Sequence, residues 1–505
     1  MKKILILVLV ALGFSAGAQN SVYQGVYSKQ GDLSKSPDAE YQLIRRHYTL
    51  NADGTSEFNF RKEITIIRNK ALTAYADKGE SFIVWNPDFQ TLKINECYTI
   101  QADGKRVDMP KAGFIEQLPS NCIDCGRYNH IREMAIVHTG MEYGCTIVLD
   151  YTIKSKSAIL DERLIIPQDC PVKKYEVIVD APKNAQPKTN FTNALTGAPA
   201  FNCETQHNEE SFRVVYTNVG QTYVDSYLPA AEELYPIVTI SNKEQAQPIT
   251  SFESVKDAEI LLTTELQDND KLTWAKNICT YVNENIKTND IPLSATNYKI
   301  APAQETWASN CGTKMDKAVL LASLLHQVGF DKVAVSAEGN VIVVVEGTEY
   351  TILPHSSNLT KAAPASNEAP RFVISGDVPF QPTPMAGSYY KVKLPSAPGS
   401  LSTRINPAAL SSMRKAPLQV ANETESYSQT ITLPDGMKMV GKPIAVKKAL
   451  KGLGTMEINI RQEGSKIIAT RSLTIERDII KEAKEYKAFR QWMQLWWQYN
   501  EIIVK

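Results

Sequence analysis

Eight cysteines and six histidines give this 505-residue chain its main scope for chemistry. Cys311 stands just ahead of an apolar run, Met315 to Leu325, and a thiol at a helix start is where the helix dipole favours thiolate. A thiol used for acyl transfer also needs a base that removes and returns its proton, and a group that orients the base. His355 and Asn340 are the candidates. They flank a hairpin of Val341 to Val345 and Glu349 to Leu353, and a two-residue turn at Gly347 and Thr348 would set positions 340 and 355 opposite one another. Without such partners a thiol with a pKa near 8.5 is only a few per cent thiolate at neutral pH, and it lacks a proton donor worth roughly 100- to 10,000-fold.

A second cysteine pattern, Cys122-Ile-Asp-Cys125, has His130 and His138 downstream. It reads as a local disulfide or plain thiols, as a redox pair, or as half a metal site. No second ligand pair follows at zinc spacing, and no cofactor motif is present. His47, His130, His138 and His207 lie singly at strand edges and in loops, where a histidine is ordinarily solvated or locally satisfied. The other cysteines, at 97, 145, 170, 203 and 279, have no deducible connectivity.

The elements that would position Cys311 are a short helix from Ala303 to Ala308, a polar break at Ser309 to Gly312, and a long helix closed by Gly329. Met315, Ala318, Val319, Ala322 and Leu325 recur at helical spacing while Leu320, Leu321 and Leu324 cover the flank, so the second helix must be central. Leu272, Ala275, Ile278, Cys279, Val282 and Ile286 mark another helix face upstream.

This order of helices and hairpin resembles the transglutaminase-like superfamily, within the papain-like cysteine protease superfamily, and most of all its secreted bacterial branch. There the helix start runs Gly-Asp-Cys-x-Asp-Lys. Gly312, Asp316 and Lys317 match that pattern, whereas Thr313 stands at the first Asp and Lys314 at the cysteine. By the same alignment Asn340 holds the histidine position and Leu353 the aspartate position, so all three triad positions are substituted. Trp307 falls where the resemblance implies a cleft wall. A set of Cys311, His355 and Asn340 would be a migrated triad of the papain type.

The first half of the chain reads as β, with hairpin turns at Asp53-Gly54 and Asp103-Gly104. The runs Asn51 to Gly54, Asn86 to Leu92 and Gln101 to Lys105 resemble the β-domain of unknown function that commonly precedes transglutaminase-like domains in secreted bacterial proteins. Ser356 to Pro370 reads as a linker. Beyond it come strands near Thr430 to Leu433, Met456 to Ile460 and Ile467 to Leu473, then a Trp-rich helix over Asp478 to Asn500 expected to dock on its own domain. The region resembles the small β-domain that accompanies the family.

Lys and Arg balance Asp and Glu at 55 each, leaving no electrostatic footprint for nucleic acid. Met1-Lys2-Lys3, an apolar run, then Ser15 to Ala18 has the form of a secretory signal cleaved after Ala18, with a core too short for a membrane span. The expected organisation is α+β and multidomain: a signal at 1–18, a large β-sandwich over 19–245, a transglutaminase-like domain over 246–355, a linker over 356–370, and a β-domain ending in a helix over 371–505. The expected function is that of an exported, non-catalytic transglutaminase-like protein in the periplasm or outside the cell, binding an extended peptide or glycopeptide or serving as a scaffold. The alternatives are a cysteine peptidase and a transglutaminase-type acyl transferase using Cys311, His355 and Asn340.

Overall fold

A computed structural model describes residues 37–68, 70–73, 80–192, 202–243, 248–258, 271–336, 339–345, 347–352, 359–361 and 369–505. The signal-like segment, Leu353 and His355 lie outside these residues. The chain forms two compact units, one built from 1–222 with 235–362 and the other from 223–234 with 363–505.

The first unit opens with β1 (Ala39–Leu50) and β2 (Ser56–Ile66), a long hairpin whose turn places Gly54 at φ +83°. That left-handed backbone is why Asp-Gly marks the turn. Further strands are β3 (Gln90–Ile100), β4 (Arg106–Asp108), β5 (Thr146–Ser155), β6 (Val172–Asp180), β7 (Asn202–His207) and β8 (Ser211–Val219). They form one sheet in the order β7-β8-β6-β1-β2-β5-β3-β4, antiparallel except for the β1 and β6 pair. Two three-stranded sheets complete the β-rich region, one of 80–85, 132–137 and 114–117 and one of 188–191, 237–241 and 161–165. β2 is one continuous strand, with Lys62 pairing in register with Leu149 along an unbroken ladder to β5.

The same unit contains helices α1 (Lys271–Asn285), α2 (Ala303–Ser309) and α3 (Lys314–Gln327). A four-stranded sheet follows in chain order: β9 (Val333–Val335), β10 (Val341–Val345), β11 (Thr348–Ile352) and β12 (Leu359–Lys361). The apolar surface of α3 demands burial on several sides, and Ala318, Leu320, Leu321, Ala322, Leu324 and Leu325 are all buried. They pack with Ala275, Ile278 and Val282 of α1 and with Val341, Val343 and Ile352 of the hairpin.

The hairpin register differs from the expected one. Val345 pairs with Thr348 and Val341 with Ile352, so Thr348 is already in the strand and Gly347 precedes it. Gly347 sits at φ +79°, a conformation that β-branched Thr348 would adopt only under strain, and Thr348 therefore joins the strand. A 340–355 pairing would need a register two residues away from this one.

The second unit contains a sheet in the order β13-β14-β17-β16-β15, of Arg371–Asp377, Glu423–Thr432, Lys466–Ile475, Gly454–Glu463 and Ile444–Leu450 respectively. Helix α4 (Ala483–Gln498) buries Tyr486, Phe489, Trp492, Met493 and Trp496 in this unit's core. The expected helix over 478–500 is shorter at both ends. Ile479–Ile480 pairs with Leu418–Gln419, and Glu501–Val504, with alternate residues buried, pairs with Tyr390–Lys393. A strand rather than a helix therefore ends the domain.

Because Leu321 is fully buried where α3 meets its neighbours, Leu321→Ala should cost about 3 kcal/mol, whereas Lys314→Ala on the exposed first turn should cost within roughly 0.5. Denaturant unfolding followed at the first unit, with hydrogen exchange of the α3 amides, checks the contrast.

Candidate functional site

The start of α3 carries Gly312, Lys314, Asp316 and Lys317, the residues that the sequence pattern singles out. Thr313 caps the helix, its Oγ1 accepting the Asp316 N–H at 3.3 Å while the Asp316 carboxylate accepts the Thr313 N–H at 2.9 Å. This is a capping box with Asp in place of the usual Glu or Gln. Asp316 does more than cap. Its Oδ1 accepts the Ala301 N–H at 2.7 Å, and its Oδ2 accepts the Tyr128 hydroxyl at 3.1 Å. A carboxylate 1% exposed is thus held by two backbone amides and a phenol. Its charge and the burial raise the Tyr128 pKa well above the ordinary value, burial being the larger cause.

Gly312 is required by this geometry, since a Cβ there would lie 2.8 Å from the Asp316 Cβ and 3.1 Å from the Thr306 Cγ2. Lys317 is also buried, and its ammonium pKa is lowered by desolvation against a weaker opposing pull from Cys279. Gly312 and Asp316 therefore have structural work independent of any nucleophile.

Lys314 takes the first position of the helix and is exposed. The turn carrying Asn340 is brought to this helix end, for a Cβ on Gly339 would lie 3.7 to 3.8 Å from Met315. Asn340 closes that turn, its N–H donating to Ser336 Oγ at 3.3 Å and its carbonyl accepting the Ser336 N–H at 2.9 Å. Its buried Oδ1 has no hydrogen-bond partner among the described residues. Trp307 is half-buried against the α1–α3 core and stacks at a tilt on Tyr281, the ring centroids 5.9 Å apart.

Cys311 is elsewhere. Together with Gly312 it pairs in parallel with Lys287 and Thr288, and its sulfur is bonded to that of Cys125. The disulfide lies in a buried cluster with Cys122, Tyr128, Ile131, Ile291 and Ala295, separate from the cluster that holds Met315. Two requirements of the Cys311, His355 and Asn340 set are therefore unmet among the described residues: Cys311 carries no thiol, and the hairpin register is the wrong one. Sequence alone left the partner of Cys311 open, and nothing in a spacing of 186 residues singles out Cys125.

Sequence reasoning also missed a buried polar cluster in the β-rich region. Lys62 Nζ donates to Ser81 Oγ at 2.7 Å, Ser81 Oγ lies 2.9 Å from His138 Nε2, and His138 Nδ1 lies 3.7 Å from Cys97 Sγ. With Lys62 donating to the hydroxyl, Ser81 donates onward to Nε2, leaving the ring proton on Nδ1 facing Cys97. A serine and histidine so placed invite a nucleophile-and-base reading. Burial, with a further push from Lys62, lowers the His138 pKa to about 3, and burial raises that of Cys97 to about 11. A base so weak, 2% exposed, has neither proton affinity nor access, and the cluster is structural.

Residues 52–219 match DUF3857, a domain of unknown function with a solved structure, and residues 389–504 match DUF3858, another of the same description. The chain shares the fold of a crystal structure from Parabacteroides distasonis described as a "putative protease", with a TM-score of 0.66 and 22% identity over 92% of this chain and 99% of that one. A zinc metallopeptidase of the M1 class from Deinococcus radiodurans overlaps 57% of this chain and 64% of its own at a TM-score of 0.19 and 8% identity, which carries no argument. No curated protein matches the chain. No helix among the described residues is long and apolar enough to cross a membrane.

Two outcomes follow from these sites. Asp316→Ala strips two buried amides and a phenol of their acceptor and should cost about 3 kcal/mol, with exchange of the Ala301 and Thr313 amides accelerated in step. His138 stays neutral in the folded chain to about pH 3, whereas unfolded histidine takes its proton near 6.5. Stability is then fully present above pH 6.5 and falls between 6.5 and 3 by up to about 1.4 kcal/mol per pH unit from this residue. His138→Gln should flatten that limb in denaturant titrations across the range.

Proposed function

We propose that this chain is an exported, non-catalytic member of the transglutaminase-like superfamily whose central domain binds an extended peptide or glycopeptide, or acts as a scaffold. The observation that carries the reading is the state of the α3 start. Gly312 and Asp316, which build the helix entry, are present with the Asp316 carboxylate satisfied, and Lys317 is present and buried, while the cysteine position is an exposed lysine. Lys314 is no substitute for a thiol, Asn340 carries no proton, and a leucine at 353 orients no imidazole. The neighbour described as a protease candidate supports a peptidase-like fold, and a fold carries no activity without its site. Export rests on the signal-like N-terminus.

The second reading, a thiol peptidase or acyl transferase using Cys311, His355 and Asn340, draws on the cysteine beside the helix. It needs the Cys125–Cys311 bond opened first. The test is turnover of fluorogenic peptides and of a glutamine-donor and amine-acceptor pair, before and after mild reduction, with iodoacetamide labelling of Cys311 across pH 5 to 9. The expected result is no turnover in either state, and labelling after reduction no faster than that of a free thiol. Turnover lost in both Cys311→Ala and His355→Ala would overturn the proposal.

A further inference from the structure

The Cys122-x-x-Cys125 pattern has one member in a disulfide and one free, and the two sit in the same buried cluster as Cys311. The Cys125 N–H donates to the Cys122 carbonyl at 3.0 Å, so residues 122–125 form a closed turn. A turn of this kind holds its first and last Cα atoms within about 7 Å, inside the span that a disulfide bridges. On the other side, the Cα atoms of Cys125 and Cys311 are 6.1 Å apart. Cys125 is thus flanked by two cysteines, each at bonding range of its backbone, and it holds a bond to one of them.

From this we infer that the three cysteines form an internal thiol–disulfide exchange site, in which Cys122 displaces Cys311 from Cys125. The Cys122 thiolate attacks the Cys125 sulfur, the Cys122–Cys125 bond forms as the Cys125–Cys311 bond breaks, and Cys311 leaves as thiolate. The proton released from Cys122 ends on Cys311. One disulfide and one thiol stand on each side, so no outside oxidant or reductant enters. The cluster is closed to solvent, with Cys122 and Cys125 at 0% and Cys311 at 1% exposure, which favours the neighbouring thiol over any dissolved one. Burial raises the Cys122 thiol above its ordinary pKa, with Glu133 adding to it and the Lys287 ammonium and the Asn289 amide opposing it. Cys122 Sγ otherwise rests against Asn121 Oδ1 at 3.4 Å.

The exchange changes what ties the 120–131 loop to the approach of α3. With Cys125 bonded to Cys311 the tie is covalent. After exchange it consists of non-covalent contacts: Tyr128 on Asp316, the Asn289 amide on the Asn121 carbonyl, and the Asn121 amide on the Asp290 carbonyl at 2.7 Å. The site goes beyond the binding or scaffold reading and stands whether or not that reading holds.

The test is a disulfide map of the purified chain held without oxygen or added thiol at pH 7, 8 and 9, quenched in acid, alkylated and digested with trypsin. Cys122 and Cys125 share one tryptic peptide, 112–127, and Cys311 lies on another, 300–314. The starting state is a cross-link between the two with Cys122 alkylated. The expected result is conversion to an internal disulfide in 112–127 with Cys311 alkylated. Its rate should rise about tenfold per pH unit while the thiolate fraction limits it, and Cys122→Ser should abolish it. A cross-link unchanged after a day at pH 9, or new disulfides drawing in Cys97, Cys145 or Cys203, would overturn the proposal. Cys311→Ser, oxidised in air and checked for native circular dichroism, gives a second reading. A 122–125 disulfide supports the site, and two persisting thiols overturn it.

Discussion

The Asp316 carboxylate is the constraint on which the centre of the first unit depends. A charge removed from water costs several kcal/mol unless donors meet it, and three donors meet this one from three separate segments. Thr313 is its own helix cap, Ala301 precedes α2, and Tyr128 belongs to the β-rich region. One side chain thereby fixes where α3 begins, how α2 approaches it and where the 120–131 loop rests. The Gly312 backbone must pass so close to Asp316 that no side chain fits, which is why a glycine enters this helix.

Around that anchor the structure is over-determined. The Cys125–Cys311 bond, the Asn289 contact with Asn121 and the burial of Tyr128 and Ile131 all join the same loop to the same helix entry. Further along the β-rich surface, Asn86 Nδ2 donates to the Ala295 carbonyl at 2.9 Å, and Tyr298 donates to Glu162 at 2.9 Å. These bonds account for the grouping of the β-rich region and the helical region in one compact unit. Cys311 is buried in the cluster that holds Tyr128 and Ile131, and the helix start presents Lys314 to solvent.

In the second unit the equivalent anchor is a buried network of charges and aromatics. Glu425 accepts from Ser402 and from Tyr427, while Arg471 lies over Tyr427 and Trp496 and donates to the Pro395 carbonyl. Burial depresses the Arg471 pKa to about 10. Trp496 of α4 is explained by this packing: it is fully buried and donates its indole N–H to Ser402 at 2.6 Å.

Local signals carried much of this in the sequence. Asp-Gly at 53–54 and 103–104 specified turns because glycine reaches positive φ without strain, and the apolar residues that cover nearly every side of 315–325 specified a central helix. That position 314 is a lysine and not a thiol was legible too, since it depends only on which residue stands there. Tertiary structure alone decided the rest. The sulfur partner of Cys311 lies 186 residues away, the register of the 341–352 hairpin turned on one glycine's φ, and the 223–234 segment joined the second unit despite its place in the chain. The disulfide and the grouping of 223–234 depend on which distant surfaces meet, and spacing along a chain holds no record of distances across it.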